Sequence, residues 1–132
     1  MATRSDSAFD SRATIETAGG AVDLYRLAAV EQAGLGELAR LPYAIRILLE
    51  NVLRNVDGFA VTEDHVRLLA GWSPRERSER EIPFKPARVV LQDFTGVPAL
   101  VDFAAMRAAI ERLDGDPARI NPQIPPHLDI DH

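Results

Sequence analysis

Apolar residues in the first half of this chain recur at the period of a helix. Ile45, Leu48, Leu49, Val52, Leu53 and Val56 are spaced three and four apart, the repeat of one helical face. Pro42 suits the first helical position and Gly58 the stop. Arg46, Glu50 and Arg54 fall on the opposite face, so the segment reads as an amphipathic helix lying on a core. A second helix is expected after Thr62, an N-cap residue followed by the acidic pair Glu63 and Asp64. Val66, Leu69 and Ala70 form its inner face, Gly71 ends it, and Trp72 packs against the same core. His65 falls on its polar side and reads as a solvated histidine.

Other stretches follow a different rhythm. Residues 13–26 alternate weakly around Gly19-Gly20, which predicts two short strands joined by a tight turn. Leu27 to Ala33 predicts a short helix stopped by Gly34. Residues 73–81 mix Arg75, Arg77 and Arg80 with Glu76, Glu79 and Glu81, and read as a solvated connector. Pro83 and Pro86 keep the next segment extended. A strand is expected over 87–93, and Val89-Val90-Leu91 is too continuous for a sheet with one wet face. Pro98 is expected to open a helix running to Leu113. Leu100, Phe103, Met106, Ile110 and Leu113 mark one face; Val101 and several alanines widen it, which predicts burial between two layers. Gly115-Asp116-Pro117 breaks the chain, 121–126 is a proline-rich connector, and Leu128 to Asp131 predicts a final strand. The last three units read as βαβ with a right-handed crossover. The expected fold class is α/β: a partly parallel sheet with flanking helices, incomplete, behind a small N-terminal β-hairpin. Residues 1–12 are expected to be a flexible tail and 13–132 one incomplete domain.

Composition narrows the function. The chain has 132 residues, 46% hydrophobic and 27% charged, as in ordinary globular proteins. Its net charge of −5 opposes binding driven by phosphate attraction. It has no cysteine, hence no disulfide and no thiolate ligand for a metal or cluster. No segment has the apolar length of a membrane span. The first twenty residues carry Asp6, Asp10 and Glu16 beside Arg4 and Arg12, unlike a transit peptide. A cytoplasmic protein without a membrane partner is expected.

The chemistry concentrates at the run from Arg88 to Pro98. There an apolar burst ends in Gln92 and Asp93, ahead of Gly96 and Pro98. Polar groups at the carboxyl end of a buried parallel strand face the crevice where ligands bind. Gln92 and Asp93 therefore have two readings: contact with a ligand, or capping of the turn that follows. Asp131 and His132 likewise read either as an acid pair or as a loose terminus. His127, Asp129 and Asp131 alternate onto one strand face, and a solvated face is the plainer reading than a cation site. No metal ligand set is assigned.

Four segments carry a family resemblance: Leu41-Pro42-Tyr43-Ala44-Ile45-Arg46-Ile47-Leu48-Leu49-Glu50-Asn51; Phe84 through Pro98; Val101-Asp102-Phe103-Ala104-Ala105-Met106-Arg107; and Ile130-Asp131-His132. Together they resemble the amino-terminal domain of the aconitase and iron-regulatory protein family, from Leu41 onward and more faintly back to Tyr25. The resemblance implies a hydro-lyase that isomerises citrate and isocitrate through cis-aconitate, using a 4Fe–4S cluster as Lewis acid. It implies that Gln92 hydrogen-bonds the tricarboxylate substrate, that His132 serves the leaving hydroxyl, and that Asp131 orients and charges that imidazole. It also implies that the cluster cysteines, the base and the substrate arginines lie downstream, so this chain binds no cluster alone and its partner is the remainder of the enzyme. One departure is local: the family pattern Asp-Leu-Val-Ile-Asp-His stands here as His127-Leu128-Asp129-Ile130-Asp131-His132. The expected function is thus the N-terminal portion of an aconitase-like hydro-lyase, inactive alone. The alternatives are a non-catalytic binding module for protein or RNA, the latter opposed by the acidic balance, and the small subunit of a split enzyme.

Overall fold

The computed structural model describes residues 7–76 and 78–130. Asp131 and His132 lie outside the described residues. The chain forms two compact units, one ending at Lys85 and one beginning at Pro86.

The first unit opens with a 3-10 turn, Ala8–Asp10, whose Ala8 and Phe9 pack against the core. Strands β1 (Arg12–Thr17) and β2 (Gly20–Tyr25) then pair antiparallel, with Thr17 opposite Gly20. The hairpin is the expected one, but its two-residue turn is Ala18-Gly19, and the left-handed backbone falls on Gly20 at φ 110°. On one face of the hairpin Asp23 accepts hydrogen bonds from Thr14 and Arg12, which hold its carboxyl below the usual range. Helix α1 (Ala28–Gln32) ends in a Schellman motif: Gly34 at φ 70° lets the Leu35 N–H reach the Val30 carbonyl at 3.1 Å.

Helices α2 (Tyr43–Arg54) and α3 (Glu63–Ala70) form on the faces their periodicity predicts, although Pro42 caps α2 rather than opening it and the helix ends at Arg54, ahead of Val56 and Gly58. Leu49, Val52, Leu53, Val66, Leu69 and Ala70 interlock with Val30, Leu41 and Val61 in one buried cluster, and Trp72 packs against it. Arg54 and Glu50 pair at 3.3 Å on the outer face. His65 is not simply solvated. Its Nδ1 accepts the Thr62 N–H at 3.0 Å, closing a capping box with histidine in the place of the usual glutamate.

A buried asparagine ties the unit together. Asn51 is only 6% exposed, in the middle of the core-facing turn of α2. Its Nδ2 donates to the Lys85 carbonyl at 2.7 Å, and its Oδ1 accepts the Lys85 N–H at 3.1 Å. The side-chain amide thus satisfies both backbone groups of a residue 34 positions away, as a neighbouring strand would. The Lys85 ammonium reaches Asp57 at 3.0 Å. Asp57 Oδ1 also accepts the Phe59 and Val61 N–H groups at 2.9 Å each.

The second unit is a parallel βαβ element: β3 (Val89–Gln92), α4 (Asp93–Arg112) and β4 (Pro126–Asp129). The α/β class, the partly parallel sheet and the N-terminal hairpin are those the sequence implies. The start of α4 is not. The helix begins at Asp93, five residues before Pro98, and no turn separates it from β3. Gly96 is buried: a Cβ there would stand 2.2 Å from Leu128 Cδ1 and 3.1 Å from Leu91 Cβ. It is a contact glycine, not a breaker. Pro98 lacks an N–H and so removes a single ladder bond, to the carbonyl of exposed Phe94.

Two outcomes follow. Asn51→Ala leaves the Lys85 N–H and carbonyl without partners and should destabilise the first unit by about 1–3 kcal/mol in urea unfolding followed by Trp72 fluorescence. Asp57 is held well below the usual carboxylate range by the Val61 and Phe59 amides and then by Lys85. Its unfolded form therefore takes up protons first. Stability from this group is complete above about pH 4 and declines as pH falls below that. Asp57→Asn should flatten the acid limb of the unfolding midpoint against pH, whereas an unchanged limb would contradict the assignment.

Candidate functional site

Gln92 is the last residue of β3 and the N-cap of α4. Its Oε1 accepts the Phe94 N–H at 3.1 Å, and its Nε2 donates to Asp93 Oδ1. Asp93 Oδ1 also accepts the Phe94 N–H at 2.9 Å, and the Thr95 hydroxyl donates to the Gln92 carbonyl at 3.2 Å. The capping reading of Gln92 and Asp93 is therefore realised. A twenty-residue helix presents its positive end at this spot, where anions are favoured. Asp93, in the first turn, supplies the anion here.

The strand register sets what stands beside Gln92. Val89 pairs with Pro126, Leu91 with Leu128, and Gln92 with Asp129. Both strands of a parallel pair run the same way, so Gln92 and Asp129 mark the same carboxyl edge of the sheet. Residue 131 follows Asp129 by two positions and residue 132 by three. Asp131 and His132 themselves lie outside the described residues. Leu91 and Leu128 turn toward Gly96, which fixes the distance between α4 and the sheet. His127 and Asp129 are exposed, so the strand keeps the solvated face expected for it. Among the described residues no group of three His, Asp or Glu side chains could hold a metal ion.

The largest polar feature that sequence reasoning missed is the Asn51–Lys85 clamp. An asparagine flanked by Leu49, Val52 and Leu53 was a visible signal of a buried polar role, but its partner is a backbone and has no sequence signature. A hollow of about 260 Å³ also opens in the first unit, floored by Ile45, Leu48, Leu69 and Trp72 and rimmed by Glu76 and Arg80. It is remote in sequence from Gln92, and no residue singled out for chemistry lines it.

The pattern describing the aconitase family (aconitate hydratase) matches residues 60–132. The chain is 49% identical over 130 residues to aconitate hydratase A of Bacillus subtilis, covering 98% of this chain and 14% of that protein. It is 48% identical over 128 residues to aconitate hydratase A of Streptomyces viridochromogenes, covering 97% of this chain and 13% of that protein. It is 49% identical over 126 residues to aconitate hydratase A of Thermus thermophilus, covering 96% and 14%. The chain belongs to the aconitase family. It spans about one seventh of the length of these relatives. No helix among the described residues is long and apolar enough to cross a membrane.

Proposed function

We propose that this chain is the N-terminal portion of an aconitase-like hydro-lyase acting on citrate and isocitrate through cis-aconitate, with residues 13–132 contributing to an incomplete α/β domain. Family membership supports the reading. So does the parallel register that sets Gln92 and Asp129 at one strand edge, with residues 131 and 132 next in sequence.

In this proposal Gln92 binds a substrate carboxylate. A neutral amide donates N–H without adding like charge, and the positive end of α4 strengthens the same anion site. The carboxylate would take the acceptor position that Asp93 Oδ1 occupies in the bare chain. His132 donates a proton to the departing hydroxyl, and Asp131 keeps that imidazole charged and fixes its tautomer. The 4Fe–4S cluster of the complete enzyme supplies Lewis acidity. With no cysteine in the sequence, these residues offer no thiolate to hold it. The base and the remaining substrate contacts come from the rest of the polypeptide, in a cytoplasmic enzyme.

The test replaces the matching part of Bacillus subtilis aconitate hydratase A with these 132 residues. The fusion should hydrate cis-aconitate, and the isolated chain should not. Gln92→Ala in the fusion should lower kcat/KM about ten- to hundredfold, the value of one charge-assisted hydrogen bond. His132→Ala should lower kcat by about 100- to 10,000-fold. Unchanged kinetics in both variants, or turnover by the chain alone, would refute the proposal.

A further inference from the structure

The two units differ sharply in what they bury. Among the described residues every buried side chain belongs to the first unit, and in the second only Gly96 is buried. Yet the second unit is a parallel sheet, a structure that normally has both faces covered. Val90 of β3 is exposed, as are Phe94, Val97, Leu100, Val101 and Met106 of α4.

Helical geometry sorts α4 into two apolar faces. Gly96, Ala99, Phe103 and Ile110 fall on the side that carries the Gly96 contact with Leu91 and Leu128. Phe94, Val97, Val101, Ala104, Ala105 and Ala108 fall within about 100° of arc on the other side, at intervals of three and four. No charged residue interrupts that stripe before Arg112. Phe94 is 84% exposed, Val97 53% and Val101 60%. An apolar stripe at this spacing is the imprint of a packed helix. Its alanine half permits close approach, and its Phe94–Val101 half supplies bulk. A lone amphipathic helix needs one such face; two opposite faces place it between layers.

We infer that the Phe94–Ala108 stripe is the docking surface for an apolar helix in the remainder of an aconitase polypeptide, and that the second unit gains its stable structure only when that helix covers it. The inference rests on the functional reading above, since it takes the rest of that polypeptide as occupant. The length of the relatives supports that choice: six sevenths of each lies outside the matched part. The stripe's lack of charge excludes an occupant held by ion pairs or phosphates. Gln92, at the N-terminus of the same helix, would then be held in place only in the assembled enzyme.

Hydrogen exchange read by mass spectrometry tests this on the 132-residue chain and on the fusion. Amides over 94–108 should exchange about tenfold or more slowly in the fusion, while those over 49–53 are protected in both. Val101→Glu should leave the unfolding midpoint of the isolated chain unchanged and abolish the gain in the fusion. If that variant of the fusion does not fold, the comparison of the two parent proteins decides alone. Equal exchange over 94–108 in both proteins would overturn the inference. So would a dimer of the isolated chain that V101E dissociates, because the occupant would then be a second copy. A fusion that turns over substrate with no added protection refutes the docking surface and leaves the functional reading standing. Protection without turnover does the reverse.

Discussion

The parallel pairing of β3 with β4 is the constraint on which everything at the candidate site depends. Parallel strands need a crossover, and α4 is that crossover. Once Leu91 and Leu128 are in register, the helix can reach the sheet only if position 96 has no side chain, and Gly96 meets that need. The same register fixes Gln92 opposite Asp129, at the edge where the positive end of α4 also lies. One packing contact therefore serves the backbone, the electrostatics and the position of the amide together.

The first unit solves a different problem. Its core is a conventional interlock of α2 and α3, and periodicity alone discloses it, because Leu49, Val52, Leu53, Val66 and Leu69 announce their faces by spacing. The device that closes this unit is polar. Asn51 gives up solvent to bond both backbone groups of Lys85, and Lys85 in turn pairs with Asp57, whose carboxylate already gathers two turn amides. Buried amides of this kind are tolerable only when fully satisfied.

What the sequence discloses follows from how local the cause is. The hairpin, α2, α3 and β3 each carry their signal within a few residues, whereas β4 runs over Pro126–Asp129, two residues ahead of the strand expected over 128–131. The start of α4 was illegible for the opposite reason. Gly96 and Pro98 look like punctuation when read locally, and only the approach of Leu128, thirty-two residues later, explains the glycine. The capping role of His65 was hidden because a histidine rarely stands where a capping box puts glutamate. Asn51 was hidden because main-chain partners leave no pattern. The roles of Asp131 and His132 rest on the motif and remain part of the functional proposal.

The central claim is that Gln92 and the residues following β4 share one substrate. Its most direct measurement is the distance from Gln92 Nε2 to the nearest citrate oxygen in a structure of the fusion with citrate bound. The account predicts a carboxylate oxygen within about 3.2 Å of that nitrogen, the His132 ring against the same ligand, and Asp93 displaced from the amide. Citrate bound in the cleft with Gln92 still closed onto Asp93, or with the His132 ring turned away from it, would contradict the account.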